Sequence, residues 1–405
     1  MFASILWKVF LPWLLPKHAT EKRNRVGRLI LEGSVLEHKA EGDKNNNMKR
    51  HGNIYGQIYN YENLRLAHKK ARRNKTFYQE VRMVDNNEEK YLKSLQASLI
   101  NKTYRTSNYE VFIKNDSGKE REIYKLPYYP DRICQWAIML QIEDILLNTF
   151  VDFSCASIPY KGTHYALSLL NKYMKDNEIS RYCLKLDIKK FFPNIDHQIL
   201  KKLLRKKFKD PELLWLLDEI IDSIPEGKGV PIGNYTSQYF ANFYLTYFDH
   251  WLKEVKRVKY VIRYMDDIVI LHNDKKYLHE LRREIERYLW ENLRLELKGN
   301  YQMFPSRVRG IDFIGYRHFG DYILLRKSTA KRLKKKMRKI LVKVKSGQQM
   351  SYSEWCSVNS YKGWVMWCNG YNLTQKHIKP LEPYCEKYYQ EVVLGGKNKR
   401  NTRAG

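Results

Sequence analysis

The chain has 405 residues, 43% of them hydrophobic, enough to build two or three subdomains with their own cores and too many for a chain disordered throughout. Lysine and arginine number 74 against 44 acidic residues, giving a net charge of +30, and 31 tyrosines, 15 phenylalanines and 9 tryptophans accompany that excess. A polyanion with stackable bases is the natural partner of such a surface, with a general solubility bias as the plainer alternative.

The opening stretch Phe2 to Leu15 is apolar, but it contains Lys8 and Pro12, is too short to cross a bilayer and lacks a basic leader with a small-residue cleavage site. A peripheral appendage without stable membrane insertion is expected. Residues 19–50 are polar, with the run Asn45-Asn46-Asn47, and read as a linker, so that 1–50 precede the ordered body. Residues 51–180 mix helical patterns with one hairpin, strands Tyr109–Lys114 and Glu120–Leu126 around the turn residues Asn115-Asp116-Ser117-Gly118. That hairpin bears Lys119 and Arg121.

Next comes a strand in which Tyr182, Leu184 and Leu186 alternate with Cys183, Lys185 and Asp187, predicting one greasy face and one polar face that carries the aspartate. After Val230, Pro231-Ile232-Gly233 leads into a helix whose stripe of Phe240, Phe243, Tyr244, Tyr247, Phe248 and Trp251 is assigned to the core. The tetrad Tyr264-Met265-Asp266-Asp267 lies between the runs Tyr260 to Arg263 and Ile268 to Leu271, a second hairpin. Ser328 is placed as the cap of a helix with Leu333, Met337, Ile340, Leu341 and Val344 on one face and nine cations between Lys331 and Lys345 on the rest. Such a face is either merely solvated or suited to a phosphate backbone. The basic, glycine-bearing tail 395–405 is expected to be disordered. Six cysteines, Cys134, Cys155, Cys183, Cys356, Cys368 and Cys385, show no CxxC spacing, which suits a reducing cytoplasm better than a zinc knuckle or a disulfide framework.

An Asp-Asp pair alone fits an ordinary hairpin turn. With Asp187 on a neighbouring strand the set changes character: two carboxylates at a tight turn and a third beside them can hold two magnesium ions, with manganese as the alternative. Such ions align an attacking 3′-hydroxyl with a departing pyrophosphate. The pattern points to a nucleic-acid polymerase.

Several blocks, in this order, resemble one family: Lys119-Glu120-Arg121, Leu126-Pro127 through Asp131-Arg132, Tyr160-Lys161-Gly162-Thr163-His164, Leu186 to Phe192, Pro231 to Gln238, Tyr264 to Asp267, and Phe313-Ile314-Gly315-Tyr316. From about Tyr55 to about Tyr388 the chain is similar to reverse transcriptases of diversity-generating retroelements, bacterial and phage RNA-directed DNA polymerases related to group II intron reverse transcriptases. The resemblance implies an α+β right-hand architecture: fingers over 51–180, a palm with an antiparallel sheet over 181–325 and a basic helical thumb over 326–394.

It further implies that Asp187 and Asp266 ligate both metals, that the Ile188 carbonyl helps and that Asp267 supports them. Lys119 and Arg121 would grip the incoming triphosphate, or else be two exposed hairpin charges. Phe192, five residues after Asp187, would exclude a 2′-hydroxyl and favour deoxynucleotides, with core packing beside Phe191 as its other reading. Ile232-Gly233 and Ser237-Gln238 stand where most reverse transcriptases have glutamine-glycine and serine-proline, so Ile232, Gly233 and Gln238 would contact the templating and incoming nucleotides. In that family, loss of the polar glutamine is associated with miscopying of template adenine. Lys298 would protonate leaving pyrophosphate, and Phe313 to Tyr316 would form a primer grip. Lys161 and His164 would touch template, or serve the structure, and Lys334, Lys335 and Arg338 would meet duplex.

The implied partners are deoxynucleotides, a template RNA, its RNA/DNA hybrid and a small basic accessory protein. Nothing after the thumb-like helix resembles an endonuclease or integrase, so target insertion is expected to rely on other factors. A phage-defence reverse transcriptase of a related bacterial lineage is the alternative within the same enzyme class. A non-catalytic RNA-binding protein with a polymerase fold predicts loss of a metal carboxylate, and all three are present.

Overall fold

In the computed structural model, residues 50–116 and 119–394 are described. The appendage and linker expected over 1–50, apart from Arg50, lie outside the described residues, as do the turn pair Ser117-Gly118 and the tail 395–405. The chain divides into two compact units, one running to Leu146 and resuming over Ile195–Phe240, the other made of Leu147–Asn194 and everything from Ala241 onward. The expected division at 180, 325 and 394 is linear, whereas these units interleave.

Backbone pairing explains the interleaving. Within the first unit, His51 donates to the Lys207 carbonyl at 2.9 Å and accepts from Lys209 at 2.7 Å. The Asp210 carboxylate accepts from the amides of Ile54 and Tyr55 at 2.7 and 2.9 Å. The same carboxylate caps helix Pro211–Ile221, taking the Glu212 and Leu213 amides while Pro211 sits where no donor is needed. This unit also carries the hairpin β1 (Glu110–Asp116) and β2 (Lys119–Lys125), whose pairing continues out to Asp116 and Lys119, past the expected strand ends at Lys114 and Glu120.

The second unit is built on a four-stranded antiparallel sheet, order β4-β5-β3-β6, from β3 (Tyr182–Asp187), β4 (Tyr260–Tyr264), β5 (Asp267–His272) and β6 (Gln302–Pro305). Leu184, Leu186, Val261, Ile268 and Ile270 are buried on one face, as the alternation requires. The other face is not uniformly polar. Cys183 is fully buried among Ile262, Val269 and Leu271, covered by Ala166, Leu170 and Met174 of helix Thr163–Met174. Polar character returns toward the Asp187 end.

A second small sheet, β7 (Ile311–Phe313), β8 (Tyr316–His318) and β9 (Ile323–Leu325), leads into helix Lys327–Lys345. Arg326, not Ser328, is the cap of that helix, and it makes no capping side-chain bond. Thr329, Leu333, Met337, Ile340 and Val344 are buried on its inner face, and Leu341 only partly so. That face joins Tyr316 and Leu325 in one core cluster, so this helix and the small sheet before it share one core. The aromatic stripe behaves as expected for Phe240, Phe243, Tyr244 and Phe248, all buried, although helix Tyr235–Tyr244 stops and a short one restarts at Thr246. No described helix is long and apolar enough to cross a membrane.

Candidate active site

Asp187 is the last residue of β3 and Asp267 the first of β5, and antiparallel register puts the two directly opposite each other. Asp266 occupies the turn before Asp267, following Met265, whose φ of 55° is a left-handed conformation costly for a long side chain. The Ile188 amide donates to the Asp266 carbonyl at 3.2 Å, tying the turn to the chain that leaves β3. Three residues from two parts of the sequence thus meet at one end of the sheet.

Their charges oppose one another. Burial first, then the neighbouring Asp187 and Asp267, pushes Asp266 up to about 6, and burial also raises Asp267. Like charges placed opposite on paired strands destabilise a sheet unless cations offset them. Lys298 forms an ion pair with Asp187, and its amide donates to the Asp187 carbonyl at 2.8 Å. Lys185 stands 3.9 Å from Asp267 and donates to the Asp312 carbonyl at 2.8 Å. Among the described residues, no group of three or more His, Cys, Asp or Glu side chains is drawn close enough to hold a metal ion as it stands. The donor set itself, hard carboxylate oxygens whose mutual repulsion a divalent cation relieves, fits magnesium or manganese.

Five residues after Asp187 in the sequence, Phe192 begins the turn Phe192–Asn194, half-buried and edge-to-face with Phe191 at 5.5 Å. Phe313 and Tyr316 close the β7–β8 hairpin as a pair, with Ile314 and Gly315 between them at φ 44° and 92°. A Cβ on Gly315 would come within 2.5 Å of the Trp364 ring. Phe313 and Tyr316 are both about 1% exposed and Gly315 is buried, so of these four residues Ile314 is the one that is partly exposed. A cavity of about 380 Å³ has Lys185, Arg309, Arg317 and Arg326 in its wall. Only one carboxylate, Asp312, shares that wall, and it already accepts from Arg326 at 2.6 Å.

Lys161 and His164 are engaged locally. The Lys161 ammonium donates to the carbonyls of Asp152 and Val151 at 3.0 and 3.4 Å. His164 stacks flat on Trp367 at 4.4 Å, and burial pulls its imidazole down to about 4, so it is neutral at physiological pH. Lys334, Lys335 and Arg338 stand exposed on their helix. Burial, and then Lys334, Lys376 and Arg338, hold His377 below its usual range.

In the first unit, Lys119 opens β2 and Arg121 lies on it opposite Lys114. Farther along β2, the Tyr124 amide donates to the Ile232 carbonyl at 3.0 Å. Gly233 follows at φ 143°, where a Cβ would lie 2.2 Å from the Tyr124 carbonyl oxygen, so only glycine fits. Ile232 and Gln238 are half-buried. Tyr235 stacks on Trp136 at 4.2 Å, and its amide donates to Gln135 at 3.0 Å. Lys119, Arg121, Ile232, Gly233 and Gln238 therefore belong to this unit, and the aspartates, Phe192, Lys298, the β7–β8 hairpin and the basic helix to the other.

Sequence reasoning passes over Arg263, which ends what reads as an apolar run. It is the largest fully buried side chain among the described residues, and it donates to the Met265 carbonyl at 3.1 Å. One charge inside an otherwise hydrophobic strand is the available signal. Lys185 stands out in the sequence only as a neighbour of Asp187.

The family described as reverse transcriptase (RNA-dependent DNA polymerase) matches residues 113–318, just over half of the chain. Protein YkfC of Escherichia coli is 26% identical over 250 residues, covering 51% of this chain and 65% of that protein. The group II intron-encoded protein LtrA of Lactococcus lactis is 26% identical over 177 residues, covering 42% of this chain and 29% of LtrA. The chain thus spans less than two thirds of either relative. Among solved structures, telomerase from Candida albicans, in complex with a fragment of telomeric RNA, aligns at 12% identity with a TM-score of 0.43 over 62% of this chain and 56% of its own. Apo telomerase from Candida tropicalis, truncated of its C-terminal domain, aligns at 13% with a TM-score of 0.42, covering 57% and 59%. With antiparallel sheets set among helices, the fold is the α+β fold of right-hand polymerases. The chain belongs to the reverse transcriptase (RNA-dependent DNA polymerase) family.

Proposed function

We propose that the chain is an RNA-directed DNA polymerase that copies a template RNA into complementary DNA. The observation that carries this reading is the β3–β5 register, which sets Asp187 opposite Asp267 with Asp266 in the adjoining turn. Asp187, Asp266 and Asp267, with the Ile188 carbonyl, are the oxygens that would hold two divalent ions, magnesium by preference. When bound, those ions activate the 3′-hydroxyl and neutralise the departing pyrophosphate. Lys298, whose ammonium pairs with Asp187, would serve as the proton source for the leaving group. Lys119 and Arg121 bind the triphosphate, the arginine as a fork and the lysine as a point charge. Phe192 sets its ring against the sugar and refuses a 2′-hydroxyl. Lys334, Lys335 and Arg338 take phosphates of template and hybrid.

The finer reading is a mutagenic one. At Ile232 an aliphatic side chain cannot supply the hydrogen bonds that hold a base pair in register, so errors opposite template adenine rise, as in diversity-generating retroelements. A small basic accessory protein would assemble with the polymerase in the cytoplasm. The test is primer extension on a defined RNA template with sequencing of the product. Deoxynucleotides should be incorporated in strong preference to ribonucleotides, and errors should concentrate opposite adenine. Ile232→Gln should lower that adenine-specific rate without lowering extension. An error spectrum flat across the four template bases, unmoved by the substitution, would favour the phage-defence role instead, and no extension at all would leave an RNA-binding protein.

A further inference from the structure

Arg263 lies in β4, one residue before Tyr264, and pairs across the hairpin with Ile268. It and Asp249 are each about 1% exposed. All five of its N–H donors are used. Nε and Nη2 grip the Asp249 carboxylate at 2.7 and 2.5 Å, Nη2 also reaches the Ser154 hydroxyl at 2.8 Å, and Nη1 divides between Asn242 Oδ1 at 3.2 Å and the Met265 carbonyl at 3.1 Å. The partners are fixed in turn. Asn242 donates to the Ala156 carbonyl at 2.8 Å, and the Arg263 backbone accepts from Cys155 and donates to Phe153, both at 2.9 Å.

Stability does not account for this arrangement. A buried ion pair recovers little more than its desolvation cost, and apolar residues of similar volume are often as stable or more so. What a guanidinium adds is direction, because its donors leave in one plane at fixed angles. One of them ends on the carbonyl of Met265, the residue held in the left-handed region. The turn that carries Asp266 and Asp267 is thereby held from the core side by Arg263 and from the β3 side by the Ile188 amide.

We propose that Arg263, aimed by Asp249, is a positioning residue that locks the Met265 turn and so fixes where Asp266 and Asp267 present their carboxylates. The inference rests on the polymerase reading above. Arg263→Lys keeps a buried cation but loses the fork. The double substitution Arg263→Met with Asp249→Leu removes both charges and fills their space.

The experiment measures, on the full chain, single-nucleotide extension, template-RNA affinity and thermal unfolding. Both variants should lose roughly ten- to a hundredfold in kcat, while KM for deoxynucleotide and RNA affinity stay within about twofold, since neither ligand touches a residue buried this deeply. The double variant should melt close to the unsubstituted chain, which separates positioning from folding. A folded variant with unchanged kcat would overturn the proposal, as would a loss that follows KM or RNA affinity instead of kcat. So would a double variant that cannot fold, because the pair would then be a structural requirement. Failure of the unsubstituted chain to extend a primer would fall on the polymerase reading, not on Arg263.

Discussion

Asp266 holds a carboxylate where its charge is least welcome: half-buried, beside Asp187 and Asp267, with its pKa raised to about 6. An acid that keeps its proton longer folded than unfolded contributes most to stability below its unfolded pKa, and that contribution is lost as pH rises through the folded one. Without divalent ions the chain should therefore be less stable at pH 8 than its Asp266→Asn variant, by on the order of 1–3 kcal/mol, and the gap should close near pH 4. Thermal unfolding in a chelator at the two pH values checks this; a variant no more stable than the parent at pH 8 would mean the carboxylates do not strain the site. Adding magnesium should stabilise the parent more than the variant. The aspartates were legible because Tyr264 to Asp267 and Asp187 each end an apolar run. Arg263 was not, because its partners Ser154, Asn242 and Asp249 are scattered along the chain and only the fold brings them to it.

Elements were legible where side-chain alternation decides them and less so where backbone contacts do. Strands β3 to β5 follow from alternation, but burial of Cys183 depends on helix Thr163–Met174 packing over that end of the sheet. The start at Lys327, rather than after Ser328, comes from a tertiary bond, the Arg326 amide donating to the Gly315 carbonyl at 2.9 Å. At Gly233 and at Gly315 a side chain would collide with its surroundings, the Tyr124 backbone in one case and the Trp364 ring in the other. Gly233→Ala should destabilise the first unit by about 2 kcal/mol or more, since it combines a positive φ with a clash against immovable backbone. Equilibrium unfolding with a probe in that unit, such as Trp136 fluorescence, reads the effect, and an unchanged midpoint would mean that the β2 contact yields. The small cost tolerated at Ile314, also at positive φ, fits a two-residue hairpin turn of the primed type.

For the whole molecule, the +30 charge points to a polyanionic partner from composition alone, whereas the interleaving of the two units could not be read from a linear scan. Strand pairing draws residues 147–194 to later segments, and the Asp210 and His51 bonds draw 195–240 to earlier ones. The cations on helix Lys327–Lys345 are exposed while its apolar side is buried, so charge there can be changed without touching the core. Lys334→Gln, Lys335→Gln and Arg338→Gln together should weaken RNA binding and reduce the salt slope by roughly 0.7–0.9 for each phosphate no longer neutralised, with an unchanged melting temperature. An unaltered slope would make that helix face merely solvated. The central claim is that Asp187 and Asp266 do the chemistry from one site, and primer extension by Asp187→Ala and Asp266→Ala, with template-RNA affinity measured on the same samples, tests it most directly. Both variants should bind RNA as the parent does and extend no primer, whereas extension by either one would contradict the account.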